Sequence, residues 1–167
     1  MKTKRIWAIM IFLAAAIAVL ALLNRPAVDT DAEVLSLVAE GQVLRVYTYG
    51  ELKELPCVEV EKEIRSAGFK SKEGLWRGVP LRTIFADAGI DLSSYKQVVT
   101  RADDSFVSAF SVEEVLADDN IFIAYSFNGH DIGGQEDGGD GPLRIVISKD
   151  IFGTRSTRWL YQLELQR

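Results

Sequence analysis

The chain has 167 residues, 19 Lys+Arg against 24 Asp+Glu, one His and one Cys, and 48% of its residues are hydrophobic. That length and apolar content suit one ordinary domain with a real core and argue against global disorder. A single Cys excludes a disulfide framework and a Cys-based zinc site, and a single His excludes multi-His metal centres. The acidic balance, with no basic run interleaved with aromatics, argues against nucleic acid as a partner.

The charge is unevenly placed. Lys2, Lys4, Arg5 and Arg25 are the only charged residues in the first 25 positions, so the remainder carries 15 basic and 24 acidic residues. Ile6 to Leu23 is an unbroken apolar run. At 1.5 Å per residue it makes roughly 27 Å of helix, close to a hydrocarbon core of about 30 Å. Trp7 suits an interfacial anchor, and the basic cluster before it is expected to stay cytoplasmic. A cleaved signal peptide is the competing reading, but the run closes on Leu22, Leu23, Asn24 and Arg25 without a small-residue cleavage site. Residues 1–25 are therefore expected to be a membrane anchor, or a signal segment, with the following domain outside the cytoplasm.

Residues 26–40 read as a linker or short helix, and the folded body as 41–167. Gln42 to Thr48 is apolar enough for a mostly buried strand. Glu51 to Leu55 is a helical turn stopped by Pro56. Val58, Val60 and Ile64 share a parity opposite Glu59, Glu61 and Glu63, the pattern of a half-buried strand. Leu81, Ile84, Phe85 and Ala88 follow helical spacing between Pro80 and Gly89. Ser111-x-x-Glu114 is a capping-box pattern opening a second short helix. Ile121 to Phe127, Asn128-Gly129 and His130 to Ile132 form a hairpin signal. Leu143 to Ser148 and Thr157 to Gln166 are two further strands. The sum is a mixed, sheet-dominated α+β domain with short helices.

Chemistry-bearing residues are few. His130 follows the Asn-Gly turn and reads as a solvated hairpin residue rather than a base. Gly133 to Gly141 is rich in Gly and acids, lacks the spacing of a calcium loop, and reads as a mobile loop. Arg144, Arg155 and Arg158 near a Gly-rich turn suit bidentate capture of phosphate or carboxylate, and they suit ion pairing with neighbouring acids equally well.

Several segments then line up in series. Trp76-Arg-Gly-Val-Pro-Leu81 with Ala88-Gly-Ile90, Asp104-Ser-Phe106, Ala124-Tyr125 with Asn128-Gly129, Gly141-Pro-Leu-Arg144 and Gly153-Thr-Arg155 with Arg158-Trp-Leu160 together resemble the sulfite-oxidase-type molybdopterin-binding domain. The motifs come in that family's order and cover nearly the whole body. The resemblance implies a sulfite-oxidase-like fold and a pterin or molybdopterin cofactor. It also implies binding residues at Ser66, Trp76, Asp104, Phe106, Asn128, Arg144, Arg155 and Arg158. Trp76 would offer a flat face to the pterin ring and Asp104 an acceptor for its N–H groups.

One departure governs the functional expectation. Family enzymes hold molybdenum through a Cys whose register here falls on Ser66. A hydroxyl is a harder donor than a thiolate and ionises far less readily. Cys57 lies nine residues away on the opposite strand face, roughly 30 Å off along a straight strand, and reads as a buried, inert thiol. The expectation is a non-catalytic pterin- or molybdopterin-binding domain, sensory or accessory, without molybdenum. It would be anchored through residues 6–23 and serve a membrane signalling or redox partner. The alternatives are a reduced molybdenum oxidoreductase of the sulfite-oxidase type and a ligand-free interaction module.

Overall fold

The computed structural model describes residues 7, 10, 11, 13–16, 31–65, 71–118 and 120–167. Among them no helix is long and apolar enough to cross a membrane. Most of the expected anchor, residues 6–23, lies outside the described residues, as does Ser66. The described positions in the apolar run are helical, and Trp7, Met10, Ile11 and Leu13 are exposed.

The first strand corrects the domain boundary. β1 (Glu33–Ala39) falls inside the expected linker 26–40, yet it lies between β2 (Gln42–Thr48) and β10 (Leu160–Gln166) in the first sheet. Leu35, Leu37 and Ala39 alternate into the core, so the short Val-Leu-Ser-Leu-Val run is a strand by period. β2 is corrected in the other direction. It is the edge strand, and Val43 and Leu44 are exposed. Thr48 and Glu51 form a reciprocal capping box that opens α1 (Tyr49–Glu54).

β3 (Val58–Ile64) and β4 (Lys72–Pro80) pair antiparallel, with β3 half-buried by parity as its alternation requires. α2 (Leu81–Asp87) follows directly and buries Leu81, Ile84 and Phe85. β5 (Gln97–Ala102) and β6 (Val107–Ser111) form a hairpin that the sequence pattern left unassigned. The Ser111–Glu114 capping box opens α3 (Val112–Leu116). β7 (Ile121–Phe127) turns through Asn128 and Gly129, at φ +50° and +78°, into β8 (His130–Asp131). Both residues are left-handed, as a two-residue hairpin of this twist demands. β9 (Arg144–Ile147) completes the second sheet.

The first sheet runs β2-β1-β10-β5-β6, with β1 and β10 parallel. In the second, β7 pairs with β4 on one side and with β8 and β9 on the other, and β3 lies beyond β4. The main core fills the space between the sheets, joining Leu37, Leu163 and Phe110 to Val79, Ile123 and Ile145. A smaller core covers the opposite face of the second sheet and gathers Ile64, Trp76, Phe122, Ala124, Ile132 and Val146. Gly78 sits where β4 slips register against β7, and a Cβ there would lie 2.0 Å from the Ile123 carbonyl oxygen. Only glycine lets the two strands approach this closely. The outcome is a sheet-rich α+β domain with three short α-helices among the described residues after position 30.

Candidate functional site

Because β1 and β10 run parallel, the chain enters the body at the edge where β10 begins. Three loops are stitched together there by backbone hydrogen bonds. Asp103 N donates to Trp159 O at 3.1 Å, Trp159 N to Asp140 O at 3.0 Å and Leu160 N to Leu143 O at 3.0 Å. The loop from Gly133 to Gly141, expected to be mobile, is hydrogen-bonded onto itself. Gly139 N donates to Gly134 O and Gly141 N to Gly133 O, both at 2.9 Å, and Trp159 Nε1 donates to Gly139 O at 2.8 Å.

That loop presents Asp140 to three cations. Its carboxylate accepts from Arg144 Nη1 at 2.6 Å and Lys72 Nζ at 2.8 Å, and Arg158 Nη1 stands 3.7 Å away. Burial pushes the Asp140 carboxyl up, but the Lys72 hydrogen bond and the charges of Arg144, Lys72 and Arg158 bring it below its usual range. Arg144 is only 5% exposed. Its guanidinium lies 5.3 Å from the Trp76 ring centroid, and its Nε donates to Ser156 Oγ at 3.1 Å. Three cations around one carboxylate leave two formal positive charges in a half-buried patch. A separate open cleft of about 330 Å³ is lined by Arg101, Asp103, Ser105, Phe106, Val107 and Tyr161. Backbone hydrogen bonds from Asp103 to Trp159 and from Trp159 to Asp140 link its loop to the one that carries the patch.

The expected binding residues divide. Arg144 and Arg158 reach the patch, and Phe106 lines the cleft. Asp104 is exposed on the same loop, where its Oδ1 accepts from Phe106 N at 3.0 Å and shapes the turn through Ser105 at φ +67°. Trp76 is fully buried, its Nε1 donates to Lys62 O, and Arg144, Lys72 and Phe127 pack on its ring. The flat face expected for a pterin is therefore taken by the chain's own side chains. Asn128 is also occupied: its Oδ1 accepts from Leu75 N at 2.8 Å and clamps the hairpin to β4. Arg155 makes two 3.0 Å hydrogen bonds to Asp150 and one of 2.8 Å to Glu114, contacts that raise its pKa further. Its guanidinium braces the loop after β9 rather than facing the patch.

Two residues of the patch were not singled out by sequence. Lys72 lies 68 positions from Asp140, and nothing local marks it. Asp140 was hidden among the glycines, although its spacing to Arg144 is four residues. Cys57 lies on the other face of the second sheet, packed against the main core, with Arg77 Nε 3.3 Å from its sulfur. Burial pushes this thiol up, and hydrogen bonds from Arg77 and Tyr125 more than cancel that, so it ionises more readily than an ordinary thiol. The thiol is half-buried rather than buried as expected. Among the described residues no group of His, Cys, Asp and Glu could hold a metal ion.

Comparison with known proteins bears on the family and the fold. Residues 24–167 match the model of a family described as oxidoreductase molybdopterin binding domain. Among solved structures, the chain is similar to the crystal structure of the sulfane dehydrogenase SoxCD from Paracoccus pantotrophus, with a TM-score of 0.64 and 17% identity. The likeness covers 84% of this chain and 40% of that one, so the chain spans about two fifths of its structural neighbour. A search of curated proteins finds no match.

Proposed function

This chain belongs to the oxidoreductase molybdopterin-binding domain family, and from that premise we propose that it is an extracytoplasmic, membrane-anchored pterin- or molybdopterin-binding domain without molybdenum turnover. The observation that carries the reading is the basic patch of Lys72, Arg144 and Arg158 gathered around Asp140. An excess of half-buried positive charge suits the phosphate of a molybdopterin, and the cleft walled by Phe106 offers a concave space for a flat heterocycle. When bound, a pterin supplies redox-active ring nitrogens. The chain's own residues supply the grip on its anionic end and a wall at Phe106.

The donor set does not fit the metal equally well. Cys57 faces away from the patch across the second sheet, and Ser66 takes the register of the family's thiolate ligand. A hydroxyl there offers a hard, reluctantly ionised donor. The domain would then present a pterin to a signalling or redox partner in the membrane. The apolar run Ile6 to Leu23, read as an anchor, would hold the body close to the bilayer.

Mass spectrometry and metal analysis of native protein from a molybdenum-replete host test this reading. A co-purifying pterin with little molybdenum is expected, and Ser66→Cys is expected to gain at most weak metal binding and no sulfite or sulfoxide turnover. Near-stoichiometric molybdenum with electron transfer to a dye would instead make the chain a reduced molybdenum oxidoreductase. Localisation has its own test. A reporter fused after Arg167 is expected to be active only outside the cytoplasm, since Lys2, Lys4 and Arg5 hold the N-terminus inside. Cytoplasmic activity would overturn the anchored arrangement.

A further inference from the structure

The centre of the basic patch is occupied by a carboxylate belonging to the fold itself. Asp140 takes a donor from Arg144 at 2.6 Å and from Lys72 at 2.8 Å, with Arg158 at 3.7 Å. The Arg144 side chain is only 6% exposed, whereas those of Lys72 and Arg158 are 37% and 49% exposed and can be reached from outside. One carboxylate supplies one negative charge to three cations. A phosphate monoester carries about −1.5 to −2 at neutral pH and offers three oxygens, one for each cation.

We propose that Asp140 is a tethered competitor for the place that a phosphate-type dianion takes among Lys72, Arg144 and Arg158, so that it sets the affinity of the site for its ligand. The inference rests on reading the patch as the anionic end of the pterin site, and it adds a control on that site's occupancy. The loop backbone need not move for the exchange. A Cβ on Gly139 would lie 2.0 Å from Gly133 O, so the chain around Asp140 is packed in place. The short aspartate side chain can leave by rotation about its own Cα–Cβ bond. While it stays, it keeps the buried Arg144 charge paired and the three cations convergent. Once it leaves, the entering dianion does both jobs with more charge.

The test uses the detergent-solubilised full chain with inorganic phosphate as the probe, at ionic strength held constant with sodium chloride. Asp140→Asn removes the internal charge and keeps the shape. Its unfolding midpoint is expected to fall in chloride alone and to recover saturably with phosphate, with phosphate binding at least tenfold tighter than in the unaltered protein. Equal or weaker phosphate binding by Asp140→Asn would overturn the inference and leave Asp140 as a brace. If that variant fails to fold, Lys72→Met with Asp140 intact is decisive: a fivefold or greater loss of phosphate affinity supports the shared site, and no change overturns it. Titration of both proteins with a phosphorylated pterin separates this inference from the functional reading beneath it. Phosphate gain without pterin binding would remove the pterin and keep the competition, whereas pterin binding without phosphate gain would do the reverse.

Discussion

Replacing Arg144 by Ala is expected to destabilise the domain by about 3–5 kcal/mol, the usual cost of removing one partner from a buried ion pair. For a body of this size that corresponds to a fall of roughly 10–20 °C in the unfolding midpoint. Two losses combine. Asp140 keeps Lys72 and the more distant Arg158 but loses its shortest hydrogen bond, and the arginine stem leaves a void over the Trp76 ring. Arg155→Ala is the informative contrast. It makes two ion pairs to the one of Arg144, yet its side chain is 35% exposed and solvent screens them, so about 1 kcal/mol is expected. Urea unfolding of both variants decides between them, and comparable losses would show that burial does not set the ranking.

The same pair fixes the sign of an acid dependence. The Asp140 carboxyl ionises below its usual range in the fold, so its contribution is complete above about pH 4, the unfolded value, and is lost as pH falls through the lower folded value. Arg144→Ala should therefore show a smaller additional loss of stability on acidification than the unaltered chain, because part of what acid removes has already gone. A double-mutant cycle with Asp140→Asn measures the coupling directly.

Local chemistry made some of this fold legible and left the rest hidden. Asn128-Gly129 specified a tight turn because both residues tolerate positive φ, and Ser111-x-x-Glu114 specified a helix start because each side chain caps the other's backbone. Leu81, Ile84 and Phe85 announced a buried helical face by spacing alone. β1 was missed because five apolar-rich residues between acids look like a linker until a partner strand is known. β2 was misjudged because burial depends on whether a strand is central or an edge, which its own residues do not state. The site shows the same division. Arg144 and Arg158 stood out by type, but their separation from Arg155 depends on acids at Asp140, Asp150 and Glu114 that only the tertiary fold brings near. Trp76 stood out as a stacking platform, and its burial under Arg144 and Lys72 is a property of packing between β4 and β9.

Gly139→Ala carries the second large effect, and it separates the shape of the loop from its charge. The added Cβ would lie 2.0 Å from Gly133 O and 2.5 Å from Gly133 C, and both are backbone atoms that no side-chain rotation can clear. The turn must open, which breaks the Gly139–Gly134 hydrogen bond and pulls away the carbonyl that accepts from Trp159 Nε1. Overpacking of this kind costs about 1–3 kcal/mol, and lost hydrogen bonds add about 1 kcal/mol each. Asp140 is the next residue, so its carboxylate is displaced from Arg144 and Lys72 as well. Gly138→Ala is the control one position earlier. Gly138 has φ +70° and open space around its Cβ position, so only the left-handed strain of about 1–2 kcal/mol applies and Asp140 stays in place. The expected result is that both variants lose stability, while only Gly139→Ala changes the phosphate response of the basic patch. Unaltered phosphate binding in Gly139→Ala would mean that the three cations assemble without the loop that carries Asp140. The patch would then owe its geometry to β4, β9 and the segment that leads into β10.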